Sequence, residues 1–254
     1  MWMRGSTSSG CEAARRVLLA AVLLAICTAA GDAADNAQNA DAAFDPTADY
    51  QVRQVEGWTV YVNQKLLAEA PLCERVLKLL QARLIEARGL LPEAALGHLE
   101  KVPIWMELTS RRFPGGCYHP SRRWLESNGV NPDKAGAIEF GNAANFLGWS
   151  RTQPAMILHE LAHAYHHRVL THADESVNAA FEQAKSSGEY EQVLYFNGER
   201  KRAYALNNAQ EYFAELSEAY FSTNDFYPFV KPELKEHDPA GFEMVQKAWH
   251  KPAQ

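Results

Sequence analysis

The sequence predicts an α+β domain with a small mixed sheet and one helix carrying paired histidines, and three observations carry that prediction. β-forming residues gather in short runs at Tyr50–Val55, Trp58–Val62, Ile104–Leu108 and Ala137–Phe140. Apolar residues recur at helical spacing in longer runs, over 70–88 and 153–169. The two patterns are interspersed without the regular alternation of strand and helix that a parallel α/β fold requires.

The 254 residues are 47% hydrophobic and 22% charged, enough for one packed domain or at most two. A net charge of -6 provides none of the basic surface needed by nucleic-acid or anionic-membrane partners, so neither is expected. Residues 1–30 read as a signal peptide. Arg4, Arg15 and Arg16 precede the apolar run Val17–Ile26, and Thr28-Ala29-Ala30 supplies small residues for cleavage after Ala30.

The expected location is therefore secreted or periplasmic, with no stable membrane insertion after cleavage. An uncleaved anchor, or lipidation at Cys27, is the lesser alternative, because Ile26 stands where a lipidation signal has a small residue. Arg15-Arg16 does not complete a twin-arginine pattern. Loss of the leader leaves Cys73 and Cys117, expected to pair in one disulfide, with two buried thiols as the alternative. Residues 31–46 are small and polar and read as a disordered spacer, so the catalytic domain is placed at 47–254.

Within that domain Glu56-Gly57 separates the first two β runs, the signature of a hairpin. Leu72, Val76, Leu80 and Leu84 mark a helix over 70–88, and Pro92 opens a shorter one. The stretch 111–132, rich in Gly, Pro and Arg, reads as loop, with Arg111, Arg112, Arg122 and Arg123 expected to be solvated and substrate contact as the alternative. Segment 223–254 is expected to complete the core, with Asp225–Phe229 walling a cleft as the alternative.

The chemistry lies on the helix over 153–169. His159 and His163 are four apart, on one face, and Glu160 lies between them in His159-Glu160-Leu161-Ala162-His163. In this HExxH spacing two imidazoles bind zinc and the glutamate serves as general base. His166 and His167 lie on the same straight helix, cannot readily converge on the same ion, and are read as residues at the mouth or behind the ligands, solvated rather than ligating. Asn207 or Asn208 caps a later helix on which Glu211 and Glu215 share a face. One of the two carboxylates can ligate the metal, and the other can sit behind a ligating histidine.

Tyr204, seven residues ahead of Glu211-Tyr212-Phe213-Ala214-Glu215, follows His159-Glu160-Leu161-Ala162-His163 in an order and separation that resemble one family. It is the gluzincin metallopeptidases with catalytic domains like those of anthrax lethal factor and the Pro-Pro endopeptidases. The resemblance spans roughly residues 137–222. It implies a zincin-like fold, one Zn2+ per chain on His159, His163 and Glu211, Glu215 in the shell behind, and Tyr204 steadying the oxyanion. His119 and His237 are the alternative donors.

The resulting expectation is an exported zinc metallopeptidase that hydrolyses peptide or protein substrates through a zinc-held water, with Glu160 as base. The Ala137–Phe140 strand is expected to take the substrate on as another strand. Two alternatives remain: a zinc amide hydrolase acting on cell-wall or glycan-linked substrates, and a non-catalytic binding module.

Overall fold

A computed structural model describes residues 44–110 and 112–250, and in it the chain is a mixed α+β domain. The expected signal peptide, 1–30, and most of the expected spacer, 31–46, lie outside the described residues. No helix among the described residues is long and apolar enough to cross a membrane.

The expected hairpin forms from β1 (Tyr50–Val55) and β2 (Trp58–Asn63), antiparallel with Val55 opposite Trp58. Its turn places both Glu56 (φ 49°) and Gly57 (φ 96°) in the left-handed region, as a two-residue type I′ connection requires. A short helix, α1 (Gln64–Ala68), leads into α2 (Ala70–Leu90), whose Val76, Leu80 and Leu84 are fully buried as the spacing predicts. Pro92 caps α3 (Glu93–Leu99), and β3 (Ile104–Met106) follows.

The segment read as loop contains two elements, β4 (Gly116–Tyr118) and α4 (Arg122–Ser127), the latter capped by Ser121. Three residues including a glycine carry too little β signal to be read as a strand; pairing with the neighbouring strand creates it. Next come β5 (Ile138–Phe140), α5 (Ala143–Trp149) and α6 (Met156–Tyr165). The chain continues through a π turn at His166–Leu170 to α7 (Glu175–Ser187) and the small ribbon β6 (Val193–Leu194) and β7 (Arg200–Lys201). It ends with α8 (Ala209–Phe221), α9 (Lys231–His237) and α10 (Pro239–Trp249).

The main sheet has the order β1-β2-β3-β5-β4, with β2, β3 and β5 parallel and the outer strands antiparallel. This corrects the expected place of an added strand. β5 pairs with β3 on one side and β4 on the other, so it has no open edge, and β4 is the edge strand on that side of the sheet. Helices α2, α5 and α6 pack on one face of the sheet.

The other face carries a buried ionic cluster. Lys134 donates to Glu107 and Glu139 at 2.8 Å each, His119 Nε2 lies 2.8 Å from Glu139 Oε2, and Tyr50 and Asn63 donate to Glu107 at 2.7 Å. Burial alone would raise the Glu139 carboxyl, but His119 and Lys134 hold it below its ordinary range. One lysine thus ties the loop before β5 to β3 and the hairpin. The N-terminal end joins this arrangement from Asp45, which pairs with Lys65 at 2.6 Å.

Cys73 on α2 and Cys117 on β4 are buried in separate apolar clusters and are not bonded to each other, so the expected disulfide between them does not form. The C-terminal segment packs as expected: Trp249 is fully buried and stacks on Tyr165 and Phe213, and its Nε1 donates to Ser217 at 2.9 Å. Truncating it removes the contact that fastens α10 to α6 and α8. Trp249→Ala is expected to cost about 3–5 kcal/mol in urea unfolding, against under about 0.5 kcal/mol for exposed Val52→Ala.

Candidate metal centre

Helix α6 is buried almost all round, and only its His163 is partly exposed, so its histidines are held by packing rather than by solvent-facing rotamer choice. It packs directly against α8. The side chain of Asn208 accepts from the Glu211 amide at 2.9 Å, which starts α8 and fixes Glu211 in its first turn.

The crossing of α6 and α8 brings His159, His163 and Glu211 together. His159 Nε2 lies 3.0 Å from His163 Nε2 and 3.1 Å from Glu211 Oε2, and His163 Nε2 lies 3.3 Å from the same oxygen. Two imidazole nitrogens cannot both point protons at each other across 3.0 Å, and the facing carboxylate is acceptor-only. Such a donor set is satisfied by a cation placed among the three atoms, and the three residues form a group able to hold one. Burial acts to raise the Glu211 carboxyl, yet the two histidines outweigh it and hold it at about 2, so it stands ready as an anionic ligand.

The residue behind His159 is not the one expected. Glu218 Oε1 sits 2.6 Å from His159 Nδ1, whereas Glu215 Oε1 is 3.9 Å away and its other oxygen accepts from Asn224 at 3.1 Å. Glu218 therefore fixes the tautomer that leaves Nε2 free to ligate. The signal was present, because Glu218 falls seven residues after Glu211, on the same stripe of the helix. Burial and the nearby carboxylates Asp225 and Glu218 push Glu215 well above its usual range.

Glu160 faces β4. Its side chain is buried; neither carboxylate oxygen makes a hydrogen bond of normal geometry, and the backbone amide of Tyr118 on β4 is the polar group that reaches it. Burial raises its carboxyl, against the lowering charges of His159 and His163. Room for it is made by Gly116, where a Cβ would stand 2.7 Å from Glu160 Oε1.

Tyr204 lies in the 3-10 turn Tyr204–Asn207 that packs on α8, its ring 6.4 Å from that of His159. Burial and then Glu211, Glu215 and Glu160 push its phenol far above the ordinary value, so it remains a proton donor at neutral pH. The alternative donors are engaged elsewhere. His119 bonds Glu139, and His237 packs between Tyr190 and Tyr227. His166, read as solvated, is wholly enclosed, and His167 is half-buried with Nδ1 2.9 Å from the Tyr118 hydroxyl. Arg112 stacks over Trp124 and Arg122 pairs with Glu126, both on the surface.

Comparison of the chain with protein-family models, curated proteins and solved structures returned no match. The reading of this site therefore rests on its geometry. Glu218→Ala is expected to weaken zinc binding about 10- to 100-fold in competition with a chromophoric chelator. Glu215→Gln is expected to leave it within about threefold, since Glu215 lies beyond bonding distance of His159.

Proposed function

We propose that the chain is an exported zinc-dependent metallopeptidase with a zincin-like domain of the gluzincin type. It would hold one zinc on His159, His163 and Glu211 and hydrolyse peptide bonds. The observation that carries this reading is the convergence of His159, His163 and Glu211 with a buried carboxylate, Glu160, next to His159 in the chain and without a side-chain partner. A purely structural ion has no need of such a base, which weighs against a non-catalytic binding module.

When bound, zinc supplies Lewis acidity that lowers the pKa of water and polarises a carbonyl. The chain's own residues do the rest. Glu160, with its pKa raised by burial, takes a proton from the attacking water and returns it to the departing amine nitrogen. Tyr204, held protonated, donates a hydrogen bond to the oxyanion as it develops. Glu218 keeps His159 oriented throughout.

An extended peptide finds its backbone partners along β4. Gly115 and His119 exchange hydrogen bonds with Gly141 and Ala137 on the β5 side. By the alternation of antiparallel strands, the backbone groups of Gly116 and Tyr118 point away from β5, with the Tyr118 amide directed at the Glu160 carboxylate. A substrate strand there lies beside Glu160, which Gly116 allows to approach.

Assay of the zinc-loaded mature chain on a peptide library tests this. Glu160→Gln is expected to lower kcat/KM by at least about 10²-fold while metal content stays at the wild-type level. Equal cleavage by this variant, or no cleavage of any peptide by the wild type, sinks the proposal. Gly116→Ala, which drives a methyl group into the base, is expected to lose about 100-fold through misplacement of Glu160 with little change in zinc affinity.

A further inference from the structure

A second group of histidines gathers just past α6, outside the ligand set of the first site. The π turn at His166–Leu170 widens the backbone and sends His166 inward, where its ring lies 5.1 Å from Phe213. His166 is fully buried, and neither of its nitrogens has a hydrogen-bond partner. The chain then reverses at Thr171, a β-branched residue at φ 69°, and lays the His172 ring 5.2 Å from that of His166. The His167 ring also lies near His172, with ring centres 5.0 Å apart.

Packing alone does not account for His166. A phenylalanine or leucine would fill the same space without an unmet donor and acceptor, and buried polar groups left unpaired are rare in native proteins. Burial also holds His166 and His172 down at about 3 and 4, so at neutral pH both rings carry a free lone pair. Neutral imidazoles without a surrounding cage of oxygens suit late first-row transition ions rather than Ca2+ or Mg2+. Asp174 is close enough to act on the charge of His166 and would offset that of an ion.

We propose that His166, His167 and His172 form a second site for an imidazole-preferring divalent transition ion of the Zn2+ or Cu2+ class, separate from the His159, His163 and Glu211 site. As the chain stands, no choice of one nitrogen from each ring brings all three within 4.8 Å of one another, so His167 joins the set by leaving the Tyr118 hydroxyl and turning toward His172. Because Tyr118 belongs to the edge strand β4, filling this site changes the contacts at one end of that edge. The ion here does not depend on the peptidase reading, since no ligand is shared.

The test is equilibrium dialysis of the full mature chain against micromolar Zn2+ followed by elemental analysis, with folding of each variant checked by circular dichroism. Wild type is expected to hold two ions, His172→Gln one, and the double variant His159→Gln/His163→Gln one. His172 is half-buried on a loop, and His167→Gln, also half-buried, serves as a second probe expected to lose the same ion. Uptake by His172→Gln and His167→Gln equal to that of wild type overturns the proposal. If His172→Gln loses an ion but the double variant does not, the second site stands and the first fails.

Discussion

Two imidazole nitrogens held 3.0 Å apart, each within 3.3 Å of one carboxylate oxygen, are an arrangement that protons alone satisfy poorly. Much of the molecule follows from maintaining it. Helices α6 and α8 must cross closely, so both are buried nearly all round and α10 seals them with Trp249. Glu218 must reach His159 through the interior, which confines a second carboxylate to a buried position and pushes it to about 7. Burial is its largest cause, with His159 opposing it.

The sheet serves this site from one side only. Its helical face supports α6, while the opposite face is held by Lys134 between Glu107 and Glu139. That cluster fixes β3, β5 and the hairpin in place without touching the ligands. Edge strand β4 is therefore set at a defined height over Glu160, and a glycine at 116 permits the approach. Breaking a buried pair of this kind by removing one partner leaves an uncompensated charge, so the cluster defines geometry more than it adds stability.

How far the sequence could be read depended on the range of the forces involved. The hairpin at Glu56-Gly57, the caps at Pro92 and Asn208 and the stripe through α2 are local, and each was legible from a few neighbouring residues. Strand β4 was not, because a three-residue strand containing Gly116 exists through its pairing with β5 and its packing on α6. The same holds for the interior position of β5, which only the strand order reveals. The structure brings His159, His163 and Glu211 together; spacing alone left Glu211 and Glu215 open, and the resemblance implied Glu211. Glu215 gave way to Glu218 because helix rotation, not merely a shared face, decides which carboxylate reaches Nδ1. His166 was misjudged because a straight helix would expose it, and the π turn does not.

The central claim is that His159, His163 and Glu211 jointly hold one zinc. Anomalous scattering at the zinc edge, from crystals of the chain loaded with a single equivalent, addresses it most directly. The account predicts a peak about 2.0–2.2 Å from His159 Nε2, His163 Nε2 and a Glu211 carboxylate oxygen. A peak lying elsewhere, or ligated by the histidines without Glu211, contradicts it.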